Sequence, residues 1–140
     1  MIDVFDREGR LDEVARIAQS VPADSLESAS PWRMARTAGL NHLSGGAFDD
    51  LTRQAADAAL RLRDGESIYF TALNLGHSGA NAQAIRALRG AVSASYCSYP
   101  AMDHDPAFTA IRNTPQFQEV REAAIACQQR FVRFRSQARR

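Results

Sequence analysis

Apolar side chains recur at steps of three and four along most of this chain, which is the period of a helix packed on one face. Leu11, Val14, Ala18 and Val21 form the first such stripe, over residues 10–21, and Pro22 stops it. Residues 22–30 read as a small, polar linker. Ser30-Pro31 pairs a helix-capping residue with a proline at the first helical position, so a second helix runs from there to about His42. Gly45-Gly46 breaks the chain. Phe48, Leu51, Ala55, Ala58 and Leu62 then share one face of a third helix, with Asp64-Gly65 ending it. Residues 66–75 read two ways: Ile68, Tyr69 and Phe70 suit a strand, whereas Ile68, Ala72 and Leu75 make a helical stripe. Residues 81–95 are helical, with Ile85, Leu88 and Val92 facing one way. Residues 97–105 look irregular and are broken at Pro100. Asp105-Pro106 and Thr114-Pro115 are two further cap-and-proline signals, opening a short helix and then a long one over residues 115–134, about 30 Å in length. The pattern predicts an all-α protein.

The segments also repeat. Gly46 and Gly79 lie 33 residues apart. Superposing them brings Leu51 onto Ala84, Ala55 onto Leu88, Ala58 onto Ala91 and, upstream, Gly39 onto Ala72. Each unit is helix, glycine turn, helix, with small residues in matching places where neighbouring helices approach closely. Gly9, followed by Val14, Ala18 and Val21, heads a third copy, the 22–30 linker absorbing the extra length. Only residues 1–8 precede it, about two helical turns, so the first unit is partial; Ile2 and Phe5 are placed to pack on Val14 and Ala18.

These residues resemble the tetratricopeptide repeat (TPR), a 34-residue helix–turn–helix unit. In the best copy its small positions are occupied by Ala72, Gly79, Ala84 and Ala91. The likeness covers residues 10–98. It departs from the pattern at Ala18 and Ala55, where a large residue is expected, at Arg63 and Tyr96, where proline is expected, and at Gly90, which lies inside a helix. The stretch ASYCSYPAMDHDPAFTAIRNTPQFQEV resembles the closing segment of long bacterial repeat arrays that follow regulators, Ser/Thr kinases and nucleotide cyclases. The residues carrying that likeness are Tyr96, Cys97, Tyr99, Pro100, Asp105 and Pro106. The resemblance implies a short right-handed solenoid over residues 1–98, a C-terminal extension over 99–140 that ends in a capping helix, and an interaction module without kinase or DNA-binding activity. It also implies a concave groove lined by the first helices of successive units: Arg33, Arg36 and Leu40 from one, Tyr69, Leu73 and His77 from the next. Apolar centres there would bury a peptide while the arginines pair a carboxylate. The asparagines and lysines of the chaperone-type carboxylate clamp are absent.

Composition narrows the classes. The chain has 140 residues and a formal net charge of +1, so no global field drives it onto nucleic acid or membrane. Its 17 basic residues are all arginine. No apolar run approaches the roughly 20 residues that cross a bilayer, and the opening MIDVFDREGR does not read as a secretion signal. Cys97 and Cys127 do not make a disulfide framework, which points to a reducing cytoplasm, with Cys127 acting as a small hydrophobe on the last helix.

Candidate chemistry is sparse. Gly76-His77-Ser78-Gly79-Ala80 has the outline of a hydrolase nucleophile elbow, but that needs a preceding strand and separate acid and histidine loops. Asp103 and His104 are adjacent and cannot fill both places. Gly76 and Gly79 before a helix could cradle phosphate, yet no lysine completes a nucleotide site. His42, His77 and His104 match no zinc spacing, so neither metal nor cofactor is expected.

The last helix carries Phe117, Val120, Ala124, Cys127, Phe131 and Phe134 at alternating steps of three and four, the spacing of a coiled-coil seam. Ile125 and Val132 widen that stripe, which suits capping of the preceding repeat. Arg130, Arg133, Arg135, Arg139 and Arg140 make its end basic. The expected function is non-enzymatic binding of a protein or peptide in a regulatory assembly. Self-association through the helix bearing Phe117 and Phe134 is the alternative, and a hydrolase using Ser78 comes third. Nucleic acid and membrane are not expected partners.

Overall fold

The computed structural model describes residues 8–20, 30–40, 43–97 and 99–138, whose regular structure is all helical, with no strand among them. The expected roles of Ile2, Phe5, Val21, Pro22, His42, Arg139 and Arg140 lie outside them, as do the side chains of Leu11, Ala18 and Leu40. Seven α-helices run in order among the described residues: α1 (Leu11–Ser20), α2 (Pro31–Leu40), α3 (Gly45–Leu60), α4 (Gly65–His77), α5 (Asn81–Ser93), α6 (Tyr99–His104) and α7 (Pro115–Gln137), with a 3-10 turn at Pro106–Phe108 before α7.

Caps set most of these boundaries. Thr114 accepts the amide of Phe117, and Asp105 accepts that of Ala107, so both predicted cap-and-proline signals start elements. Asp64 caps too, but at the other end from the one expected. Its carboxylate accepts the Ser67 amide at 2.8 Å, and so it opens α4 rather than closing α3. Residues 66–75 are helix, not strand. The buried Ile68, Ala72 and Leu75 follow the helical stripe, and Phe70, which strand alternation would bury with Ile68, is exposed. The region around Pro100 holds the short α6, with the proline at its second position, where a missing amide costs no hydrogen bond.

Helices α2 and α3 form one hairpin, α4 and α5 the next; α2 packs on α4 and α3 on α5. Alanine makes these contacts close: Ala35, Ala38, Ala55, Ala56, Ala59, Ala72, Ala84 and Ala87 are fully buried. The repeat register differs between the two rows. In the first helices, buried Ala35, Arg36 and Ala38 correspond to Ile68, Tyr69 and Thr71 at the expected spacing of 33. In the second helices, buried Thr52, Ala55, Ala56 and Ala59 correspond to Ala84, Ala87, Leu88 and Ala91, a spacing of 32. The expected partners Leu51 and Ala58 are only half-buried. The two turns are also built differently. Helix α3 begins at Gly45, which itself has positive φ, whereas α5 begins two residues after Gly79 (φ 83°).

Two glycines inside helices are there for space. A Cβ on Gly76 would stand 2.4 Å from the carbonyl oxygen of Ala107, so this glycine lets the 3-10 turn lie against α4. Gly90, unaccounted for by the repeat pattern, faces the Cδ2 of Leu60 at 2.2 Å from where a Cβ would sit.

Beyond residue 98 the core continues without a break. Met102, Phe108, Ile111, Phe117, Val120 and Ala124 belong to the same cluster as the repeat residues. Ring contacts run Tyr96–Tyr69–Phe108–Phe117 at centroid distances of 4.9, 6.1 and 6.0 Å, linking α4 to α7. The extension is therefore a further layer on α4 and α5. Ion pairs bridge the layers at the rim: Arg86 with Asp57, and Arg89 with Glu119.

The cysteines correct the sequence reading. Cys97 and Cys127 form a disulfide, with Cα atoms 5.4 Å apart, well within the range such a bond spans. Helix α7 folds back over α5 and brings its own apolar face to the connector that follows α5, so residues 30 apart in sequence meet.

Candidate functional site

The expected groove is not an open surface at most of its positions. Arg33, Arg36, Tyr69 and Leu73 are 7%, 5%, 5% and 8% exposed. Tyr69 belongs to the ring chain of the core, and the Arg33 guanidinium lies 6.0 Å from the centroid of Trp32. Each of Arg33, Arg36, Tyr69 and His77 has an interaction partner within the chain. His77 alone of these is exposed, and the Leu40 side chain lies outside the described residues. The register placed α2 and α4 side by side correctly, but it did not foresee that this face is covered.

Ser78 stands at the end of a helix, not after a strand. Its hydroxyl donates to the Leu75 carbonyl at 2.9 Å, and its Cβ lies 2.8 Å from where Gly39 would carry one, so it packs between α4 and α2. Asp103 is held by Arg121 through two hydrogen bonds of 2.7 and 2.8 Å. Those bonds hold its carboxyl below the usual carboxylate range against a smaller opposing effect of burial. The buried Thr52, Thr71 and Asn74 are each satisfied by a carbonyl four residues earlier in their own helix. No cluster of three metal-ligating side chains occurs among the described residues. No helix there is long and apolar enough to cross a membrane.

What stands out is α7. Its stripe divides at Cys127. Phe117, Val120, Ala124 and Cys127 are buried against the body, while Phe131 and Phe134, continuing the same stripe, are 56% and 69% exposed. Val132 beside them is 57% exposed. The helix runs past the last layer that the described residues offer it. Capping thus describes the first half of α7 and not the second. A groove of about 520 Å³ opens along the projecting half, lined by Cys97, Cys127, Gln128, Arg130, Phe131 and Phe134. A second, of about 430 Å³, lies on the opposite flank, lined by Tyr99, Ile125, Gln129, Val132 and Arg133 among others.

Compared with protein-family models, curated proteins and solved structures, the chain matches none of them.

The arrangement therefore has to be read on its own chemistry. The projecting half offers an apolar floor, with the disulfide at its inner end, and an arginine rim. The Arg135 guanidinium lies 5.8 Å from the Phe131 ring centroid, at the edge of the stripe. None of Arg130, Arg133 and Arg135 makes an ion pair among the described residues. The sequence marked these side chains but left the phenylalanines either capping the repeats or pairing with a second copy, and it missed the disulfide. The signal for the bond was present in retrospect: Cys127 lies on the packing face of α7 and Cys97 in the connector beneath it.

Proposed function

We propose that this chain is a non-enzymatic, TPR-like helical module that binds another protein through the projecting half of α7. The carrying observation is the continuation of one apolar stripe from buried Phe117 and Val120 to bare Phe131 and Phe134, beside a groove large enough for several side chains. Exposed apolar patches rimmed by polar residues mark docking surfaces. The repeat reading draws support from paired helices that pack first on first and second on second, with alanines at the contacts. A place in a regulatory or signalling assembly follows from the likeness of the closing segment to bacterial repeat arrays. The reducing cytoplasm expected from cysteine count sits poorly with a Cys97–Cys127 cross-link, since such bonds persist in oxidising surroundings.

A second reading draws on the same exposed phenylalanines: two copies of the chain pairing through α7. Photo-crosslinking separates the two. With a photoreactive residue at position 134 of the full chain in its own cells, the proposal predicts an adduct with a different protein, lost on Phe131→Ser. Adducts solely between copies of this chain favour self-association, and no adduct at all contradicts both.

A further inference from the structure

We infer that the partner of the projecting half of α7 is an amphipathic helix flanked by carboxylates, and that the charges of this chain select against pairing with itself. The inference rests on the reading that this face binds protein and adds the chemistry of what it binds. The stripe on α7 has strict heptad spacing. With Phe117 at the first position of a heptad, Phe131 falls at the same position and Phe134 at the second apolar one. Gln128, Arg130 and Arg135 then occupy the flanking positions that decide which helix can pair. Of these, Arg130 lines the larger groove, and Arg135 lies against the Phe131 ring.

Self-pairing offers these arginines no opposite charge in either orientation. In a parallel pair, the flanking position of one helix faces the next flanking position of the other, which sets Arg130 opposite Arg135. In an antiparallel pair that stacks Phe131 on Phe134 of the other copy, equivalent flanks meet, setting Arg130 against Gln137 and Arg135 against Gln128, with no carboxylate at either edge. Residues 123–140 contain five arginines and no acidic residue, so nothing in this half compensates. A partner helix with Glu or Asp at its flanks gives Arg130 and Arg135 opposite-charge pairs, and guanidinium–carboxylate geometry suits it. The apolar floor favours a helix over nucleic acid. Phe131, Val132 and Phe134 supply burial rather than phosphate contacts, and the chain as a whole carries only +1.

The test uses the full oxidised chain and two synthetic helical peptides of three heptads. Both have leucine at the apolar positions; one has glutamate at the flanks and the other lysine. Binding is read by fluorescence anisotropy at low salt. The glutamate peptide should bind about tenfold or more tightly than the lysine peptide. The double variant Arg130→Glu/Arg135→Glu should reverse that preference. Phe131→Ser/Phe134→Ser should abolish binding of both peptides with an unchanged circular dichroism spectrum. Equal affinity for the two peptides, lost in the phenylalanine variant, would overturn the carboxylate inference while leaving a protein-docking face in place. Binding of neither peptide, dimerisation through this face, or capture of single-stranded RNA in place of the peptides would each overturn the inference as well. Whether a protein docks here at all is judged separately, by the crosslink from position 134.

Discussion

The two halves of α7 differ in surroundings far more than in sequence pattern. Up to Cys127 the apolar stripe meets α5, α6 and the 3-10 turn, and it is fixed there by the Arg89–Glu119 and Arg121–Asp103 pairs and by the disulfide. From Gln128 onward the same spacing continues into Phe131 and Phe134, which are more than half exposed among the described residues. Periodicity reports which face a helix would bury; it does not report whether a neighbour is there to bury it. The first half is thus structural, and the second projects beyond it.

That contrast can be attacked by substitution. The largest effect is expected in the inner half. Phe117→Ala removes a fully buried ring and should cost about 3–5 kcal/mol in chemical denaturation. A loss of under 1 kcal/mol would mean the inner half is not the anchor described. Next comes the staple. Cys97→Ser/Cys127→Ser opens a cross-link across a 30-residue separation and should lower stability by about 3 kcal/mol, the cost arising mainly in the unfolded chain. The same loss should follow reduction of the native protein. Gly76→Ala should destabilise by about 1–3 kcal/mol, because its methyl meets a backbone carbonyl that cannot step aside. Gly90→Ala sharpens this. There the obstacle is the end of a leucine side chain, and alanine's better helix propensity of about 1 kcal/mol offsets the crowding, so little net change is expected in thermal unfolding. Smallest of all is the outer half: Phe131→Ser/Phe134→Ser should move the stability of the free protein by no more than about 0.5 kcal/mol.

Much of the fold was legible in the chain. Helix starts at Pro31, Pro106 and Pro115 followed from capping residues beside prolines, because that chemistry is local. The close alanine contacts were legible too, since small residues at matched repeat positions have few other uses. What failed was non-local. Asp64 suits either end of a helix, and only its bond to Ser67 decides which. The one-residue slip between α3 and α5 is not encoded in the glycine spacing, which is 33 where the buried positions are 32 apart. The burial of Tyr69 against Tyr96 and Phe108, and the meeting of Cys97 with Cys127, depend on how distant segments return to the body. For the candidate site, the sequence marked Phe131, Phe134 and the arginines as a coherent face but could not say that it lay bare.

Residue-resolved amide hydrogen exchange on the free, oxidised monomer tests the central claim most directly. Amides of residues 119–127 should exchange near the rate of global unfolding, and those of residues 131–137 at least about a hundredfold faster, with the step falling close to Cys127. Uniform slow exchange along the whole of α7 would show that its outer half is packed against something already, and would contradict the account.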